Sequence, residues 1–320
     1  MITYVIRRLL IAIPILIIIS ILLFTMIQFV PGDAFTSQID PRVDPEYYEQ
    51  MRKEFGLDKG PVEQYFVWAE NFIKGEFGIS FRYKIPVQDM IGERIMNTFF
   101  LAVTSIIITY FLAILLGVYS AQRPYSKLDY TVTGLSFVGL SLPSFFAGLL
   151  AIYLFSFMLD LFPAGGTETA GADYTGIRAV LDRLHHVILP AFVLSIINIA
   201  GYSRYVRAQV LETKKMDYVR TALAKGLSRN LVMRKHVLRN SLLPLITLFG
   251  MDIGMIFSGA IITETIFTWP GLGQFLFEAA QNRDYPILMA GTMMIGIFTI
   301  LGSIIADILY SVADPRVRYD

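Results

Sequence analysis

Residues Leu9–Val30 read LLIAIPILIIISILLFTMIQFV, an apolar run without a single charge. At about 1.5 Å per helical residue such a run crosses a hydrocarbon core of about 30 Å. A secretory signal core spans only about 7–15 residues, and no small-x-small cleavage site follows this one. The run therefore reads as a retained membrane helix behind the basic residues Arg7 and Arg8. Composition agrees, with 55% hydrophobic and 17% charged residues in 320, against about 25% charged in soluble domains.

Working outward, five further apolar runs occupy Thr98–Ala121, Gly134–Met158, Val187–Tyr202, Leu242–Ile262 and Ile287–Tyr310. They lack the alternation of barrel strands, and unpaired backbone is not tolerated in lipid, so they are expected to be helices. The expectation is an all-α polytopic membrane protein with six transmembrane helices. Its segments are residues 1–30 (N-terminus and first helix), 31–97 (a long helical segment outside), 98–310 (the core) and 311–320 (a tail). The basic residues set the orientation. Arg7, Arg8, Arg123, Lys127, Arg316 and Arg318 fall on one side with the cluster Arg204, Arg207, Lys214, Lys215, Arg220, Lys225, Arg229, Arg234, Lys235 and Arg239. Few acids accompany them there, namely Asp129, Glu212, Asp217, Asp314 and Asp320. Both termini and the loop 204–241 are expected in the cytoplasm, and the protein in the cell (inner or plasma) membrane.

Several chemistries lose their support. There is no cysteine, and the three histidines His185, His186 and His236 form no HExxH. No glycine precedes a lysine, so there is no phosphate-binding GxxxxGK[ST] loop, and no GxSxG elbow is present. With a net charge of +1 there is no field for nucleic acid. No catalytic residue and no metal ligand is expected in this chain, and any energy it uses comes from another protein. An intramembrane enzyme would have only Asp252 and Asp307 as a pair, at different depths.

Outside, Asp44 and Pro45 start a helix expected to reach about Phe55. Val62, Tyr65, Phe66, Ala69, Phe72 and Ile73 then recur on one helical face, suited to the membrane interface or another subunit. Inside, Tyr205–Thr213 prolongs the fourth span, and Asp217 precedes a short helix. Gly226 ends it as a left-handed cap, and Leu227, Leu231, Val232, Val237 and Leu238 resume an apolar stripe. Ala222, Ala224 and Gly226 form a small-residue tip fit to dock in a cleft of another protein. The plainer alternative is a basic loop gripping anionic headgroups.

At this point the chain resembles the B-type membrane permease subunit of dipeptide/oligopeptide/nickel ABC importers. The resemblance rests on Asp217–Leu227 (DYVRTALAKGL) and Lys235–Pro244 (KHVLRNSLLP). It rests also on Arg7–Leu9, Val30–Asp33, Phe55–Asp58, Leu140–Phe145, Glu264–Gly273, Asn282–Pro286 and Asp314–Arg316, in consistent order. It implies the type I ABC importer permease fold, paired as a heterodimer with a C-type permease. It further implies two cytoplasmic ABC ATPase subunits that bind ATP and Mg, and an extracytoplasmic substrate-binding protein. It makes Arg220, Thr221, Ala222, Leu223, Ala224, Lys225, Gly226, Leu227 and Ser228 the ATPase-coupling contact. Arg220 stands where the wider superfamily has Glu, and Asp252 where the group more often has a neutral residue such as Gln. The cargo is expected to be peptides or similar small solutes, and a stand-alone secondary transporter or channel is the alternative.

Within the spans, Asp252 either lines the pathway, where it attracts an ammonium group, or is a hydrogen-bonded carboxyl between helices, since a bare mid-span carboxylate costs at least about 2.5 kcal/mol. Asp307 is expected to pair with a basic residue of the loop 204–241. Pro143 interrupts the third span beside Gly139 and Gly148, for close packing or as a hinge. Glu264, Trp269, Pro270 and Gly271 join the last two spans as a candidate outer gate or docking point.

Overall fold

In a computed structural model the described residues are 2–30, 49–50, 53, 58–255 and 260–313. The start of the helix expected from Asp44, the Pro31–Asp33 and Phe55–Leu57 motif residues and the motif Asp314–Arg316 lie outside them, and of that helix only Glu49, Gln50 and Lys53 are described, as helical. Among the described residues the fold is helical, and the only extended pairing is an isolated bridge between Ile79 and Pro86.

Among the described residues four helices are long and apolar enough to cross a membrane: α1 (Ile2–Gln28, apolar from Ile6), α3 (Val87–Gln122), α6 (Ile177–Thr213) and α12 (Tyr285–Ala313, through Ile308). They correspond to the first, second, fourth and sixth runs of the sequence. Between α1 and α3 lies α2 (Pro61–Lys74), started by a proline that gives up no needed N–H and closed by Gly75 at φ 84°.

The third run departs from a single rod. It forms α4 (Lys127–Ser141) and α5 (Ser144–Ala151, prolonged by a π-helical stretch Ile152–Met158), bent by 111°. Proline at 143 disfavours helical backbone at the residue before it, and Leu142 is extended, with ψ 127°. Gly139 nevertheless packs closely, against Ile196 and Ala200 of α6. The fifth run is also shorter than expected. Helix α9 ends at Met255 (Leu243–Met255), and after residues 256–259 comes the separate α10 (Ile261–Ile266). Five crossings result among the described residues if the bent pair counts as one, against six expected.

Between α6 and α9 stand α7 (Asp217–Ala224) and α8 (Arg229–Val232), the latter carried on by a π-helical stretch Met233–Leu238 and a last turn Arg239–Ser241. Helix α11 (Leu272–Asn282) leads into α12. The central pair is α3 against α6. A Cβ on Gly117 would lie within 2.6–2.8 Å of Ser203 and Val206, so only glycine permits this approach. Helix α12 packs on α9 and α1, and α1 otherwise presents Ile6, Leu10, Ile13 and Leu22 outward.

Two expectations are corrected here. Asp307 pairs with Arg8 of α1 at 2.9 Å, not with the loop 204–241, because α1 and α12 lie side by side. The stripe expected on one face of α2 splits. Tyr65, Trp68 and Phe72 stack inward, and Tyr65 meets Phe24 at 5.5 Å and Ser20 at 2.9 Å. Val62, Phe66 and Ile73 face outward. The helical repeat places the two sets about 90° apart.

Candidate functional site

The basic hairpin grows directly out of α6, which runs unbroken past Tyr202 to Thr213. Met216 is extended, and Asp217 opens α7 at the end where a negative charge suits the helix dipole. Gly226 then takes φ +82°, a backbone state that costs side-chain-bearing residues about 1–2 kcal/mol. Its N–H donates to Leu223 O at 2.9 Å, and that of Leu227 to Ala222 O at 3.3 Å. These bonds close α7 as a left-handed glycine cap does. Ser228 accepts from Leu231 N and starts α8.

The root of the hairpin is a packed core. Val219, Ala222, Val232 and Val237 are buried against Val206 and Val210 of α6, Ala121 of α3 and Leu245 of α9. Ala222 is thus not part of an exposed tip, because helical spacing puts it on the same side as Val219. Arg220, Thr221, Leu223, Ala224, Lys225, Gly226, Leu227 and Ser228 are exposed. Leu223 and Leu227, 43% and 38% exposed, give that basic tip an apolar crown.

Two polar ties fix the root to the neighbouring helices. Arg207 donates from Nε and Nη2 to the two oxygens of Asp129, both at 2.6 Å, and Tyr125 N donates to Oδ2 at 2.8 Å. The Asp129 side chain is 4% exposed, and the hydrogen bonds from Arg207 hold its carboxyl below the usual carboxylate range. Lys214 Nζ donates to Ala121 O at 2.6 Å, near the end of α3. Neither pairing is visible in the sequence, where Asp129 and Arg207 stand 78 positions apart.

Asp252 sits on α9, and three helices meet at it. Tyr110 of α3 donates to Oδ2 at 2.7 Å and Tyr202 of α6 to Oδ1 at 2.8 Å. Asp252 thus accepts hydrogen bonds from two neighbouring helices, an arrangement compatible with a place on the pathway as well as with a structural role. The residue as a whole is only partly buried. The tyrosines lay unnoticed in the sequence because aromatic residues are common in apolar runs.

At the far end, Glu264 and Trp269 are fully buried. Glu264 accepts from Thr98 Oγ1 at 2.6 Å and Gln274 N at 2.9 Å, and a Cβ on Gly271 would fall inside its carboxylate. Trp269 Nε1 donates to Asn97 O at 3.0 Å, and Asn97 Nδ2 donates back to Pro270 O at 2.9 Å. Arg183 of α6 donates to Asn97 Oδ1. Of Glu264, Trp269, Pro270 and Gly271, only Pro270 keeps partial exposure. Nearby, the buried Asp284 accepts from Ser80 Oγ at 2.5 Å and from the N–H groups of Phe81 and Arg82. It ties the α2–α3 connection to the start of α12.

Comparison with known proteins follows the same arrangement. Residues 113–319 match the family "Binding-protein-dependent transport system inner membrane component", and residues 1–102 match the N-terminal part of such components. The chain is 44% identical to the oligopeptide transport system permease protein AppB of Bacillus subtilis (strain 168), over 100% of each chain. It is 36% identical to the dipeptide transport system permease protein DppB of Escherichia coli (strain K12), covering 100% of this chain and 99% of that one. Identity to the glutathione transport system permease protein GsiC of Escherichia coli O1:K1 / APEC is 34%, again end to end.

Proposed function

The chain belongs to the inner membrane component family of binding-protein-dependent transport systems, as a B-type permease subunit of a peptide ABC importer, and we propose that it turns ATPase movement into opening of a peptide pathway through the tip Arg220–Ser228. A stand-alone secondary transporter is set aside by this membership. A permease subunit is not itself an enzyme, and ATP with Mg belongs to partner ATPases in this reading.

The observation that carries the proposal is an exposed basic and apolar tip whose root shares one core with α3, α6 and α9. A push on such a tip moves the spans rather than a slack loop. The partners in this reading are two cytoplasmic ABC ATPases, a C-type permease completing the pathway, and an extracytoplasmic binding protein. Both termini and the hairpin face the cytoplasm, six helices cross the membrane, and residues 31–97 lie outside. The buried Glu264–Trp269 knot is the fixed part of an outer gate, and Pro270 is its point of contact with the binding protein.

Gly226→Val tests the coupling role. The site has open space around it, so the substitution strains only the turn, by about 1–2 kcal/mol. Uptake in proteoliposomes is expected to fall several-fold, with ATP hydrolysis no longer stimulated by loaded binding protein. Unchanged uptake and stimulation would refute coupling through this turn.

Asp252 is the pathway residue in this proposal, its negative charge serving to attract a peptide ammonium group. Asp252→Asn removes the charge and keeps one acceptor oxygen for a tyrosine, while its Nδ2 can donate to the hydroxyl of the other. Competition uptake assays are expected to show a loss of preference for cationic over neutral peptides, with normal assembly. Identical preference in the two proteins would remove Asp252 from the pathway.

A further inference from the structure

One apolar cavity in the fold belongs to neither the hairpin nor the Asp252 cluster. It has about 380 Å³ and lies between α3, the π-helical continuation of α5, and α6, lined by Phe111, Leu112, Phe155, Phe162, Leu189 and Phe192 with two isoleucines. Every lining side chain is a hydrocarbon. A peptide placed there would surrender the hydration of its amides and termini with nothing in return. The cavity also lies on the side of α3 away from Asp252. Phe111 and Leu112 are rotated from Tyr110 by about 100° and 200° on the helical repeat.

Depth and charge indicate the occupant. Counting about twenty residues, or about 30 Å, along α6 from Arg204 reaches Leu184. Leu189 and Phe192 then fall in the leaflet opposite the basic hairpin, and Arg178 lies beyond the hydrocarbon, at headgroup height. Arg178, His185 and Phe192 follow each other at intervals of seven, one stripe of α6. Arg178 is exposed and has no ion pair or hydrogen bond among the described residues. Its neighbour one turn on, Asp182, is taken up by Thr169, whose N and Oγ1 donate to it at 2.8 and 2.6 Å. The His185 ring lies tilted against the cavity residue Phe162 with centroids 5.5 Å apart and donates from Nε2 to Leu161 O. The stripe is thus cationic at the surface and apolar in the groove.

We propose that this groove holds an acyl chain of an anionic phospholipid of the outer leaflet, its phosphate at Arg178. The leaflet assignment rests on the orientation given above; the groove and its stripe do not.

The test uses the complete transporter in nanodiscs of phosphatidylethanolamine and phosphatidylglycerol, with phosphatidylglycerol carrying a diazirine near the end of one chain. Photolysis and peptide mapping are expected to label α3 around Phe111 and α6 around Phe192 more strongly than the exposed face of α1. Leu112→Trp, which fills the groove, is expected to abolish that excess. One basic residue near an anionic surface contributes about 1 kcal/mol, so Arg178→Gln should lower groove labelling about fivefold. Groove labelling no greater than that of α1 overturns the proposal, as does absence of labelling because another subunit covers the groove. Equal labelling by phosphatidylcholine with the same chain overturns the anionic headgroup. Topology is read separately from the accessibility of Ser228→Cys in this cysteine-free chain, so a reversed orientation is not mistaken for an empty groove.

Discussion

Asp129→Ala is expected to destabilise the permease by about 2 kcal/mol, the cost of leaving a part-buried guanidinium and a backbone N–H without their shared acceptor. Arg207 would lose the acceptor of its two hydrogen bonds, and the Tyr125 N–H would lose its own. The measurement is thermal unfolding in detergent together with the level of intact protein in membranes. The double substitution Asp129→Ala, Arg207→Met should recover part of the loss, because no charge is then stranded. Full stability of the single variant would show that the pair is ornamental. The pair also makes an acid limit. Asp129 has its carboxyl lowered by Arg207 from an ordinary 3.8, so its contribution is complete above that ordinary value. It is lost as pH falls below it, through the lowered folded value. Asp129→Asn is expected to be less stable at neutral pH and to lack this portion of the acid sensitivity.

Leu223→Asp should leave the fold intact and remove transport. Leu223 projects from the tip at 43% exposure, and the core beneath it is made by Val219 and Ala222. Replacing an apolar anchor by a charge at the centre of a protein contact costs about 2 kcal/mol or more, roughly thirtyfold in affinity. Co-purification of the ATPases and peptide uptake should therefore fall together, with unchanged permease levels and melting. Were the ATPases to remain bound and uptake to persist, the crown of Leu223 and Leu227 would not be the contact.

Those two residues show how legibility varied along the chain. The hairpin was readable because its punctuation is local: Asp217, Gly226 and Ser228 each act on the backbone within a few residues. Four spans were readable for the same reason, since hydropathy over some twenty residues needs no knowledge of neighbours. Orientation of a side chain within a helix is different. Ala222 looked like part of an exposed tip by size alone, and its burial depends on α3 and α6, more than ten residues away in sequence. Asp307 met Arg8 and not the nearer-looking basic loop, because α1 packs against α12. The partners of Asp252 came from α3 and α6, with phenols separated from it by 142 and 50 positions. Pro143 was recognised as an interruption, but the 111° turn depends on how α5 finds a place against α6 and α10. Most of what was missed was long-range, the split face of α2 being the local exception.

The wide turn Met233–Leu238 on the return limb has an evolutionary corollary. A π-helical stretch is an α-helix that has absorbed one extra residue. Dropping one residue there restores ordinary winding and leaves Val232 and Ser241, on either side, in phase with their packing partners. The same deletion in α6 would swing everything beyond it through about 100° and detach Val206 and Val210 from α3. Length variation of a single residue among related chains should accordingly collect at Met233–Leu238, where the helix already carries slack.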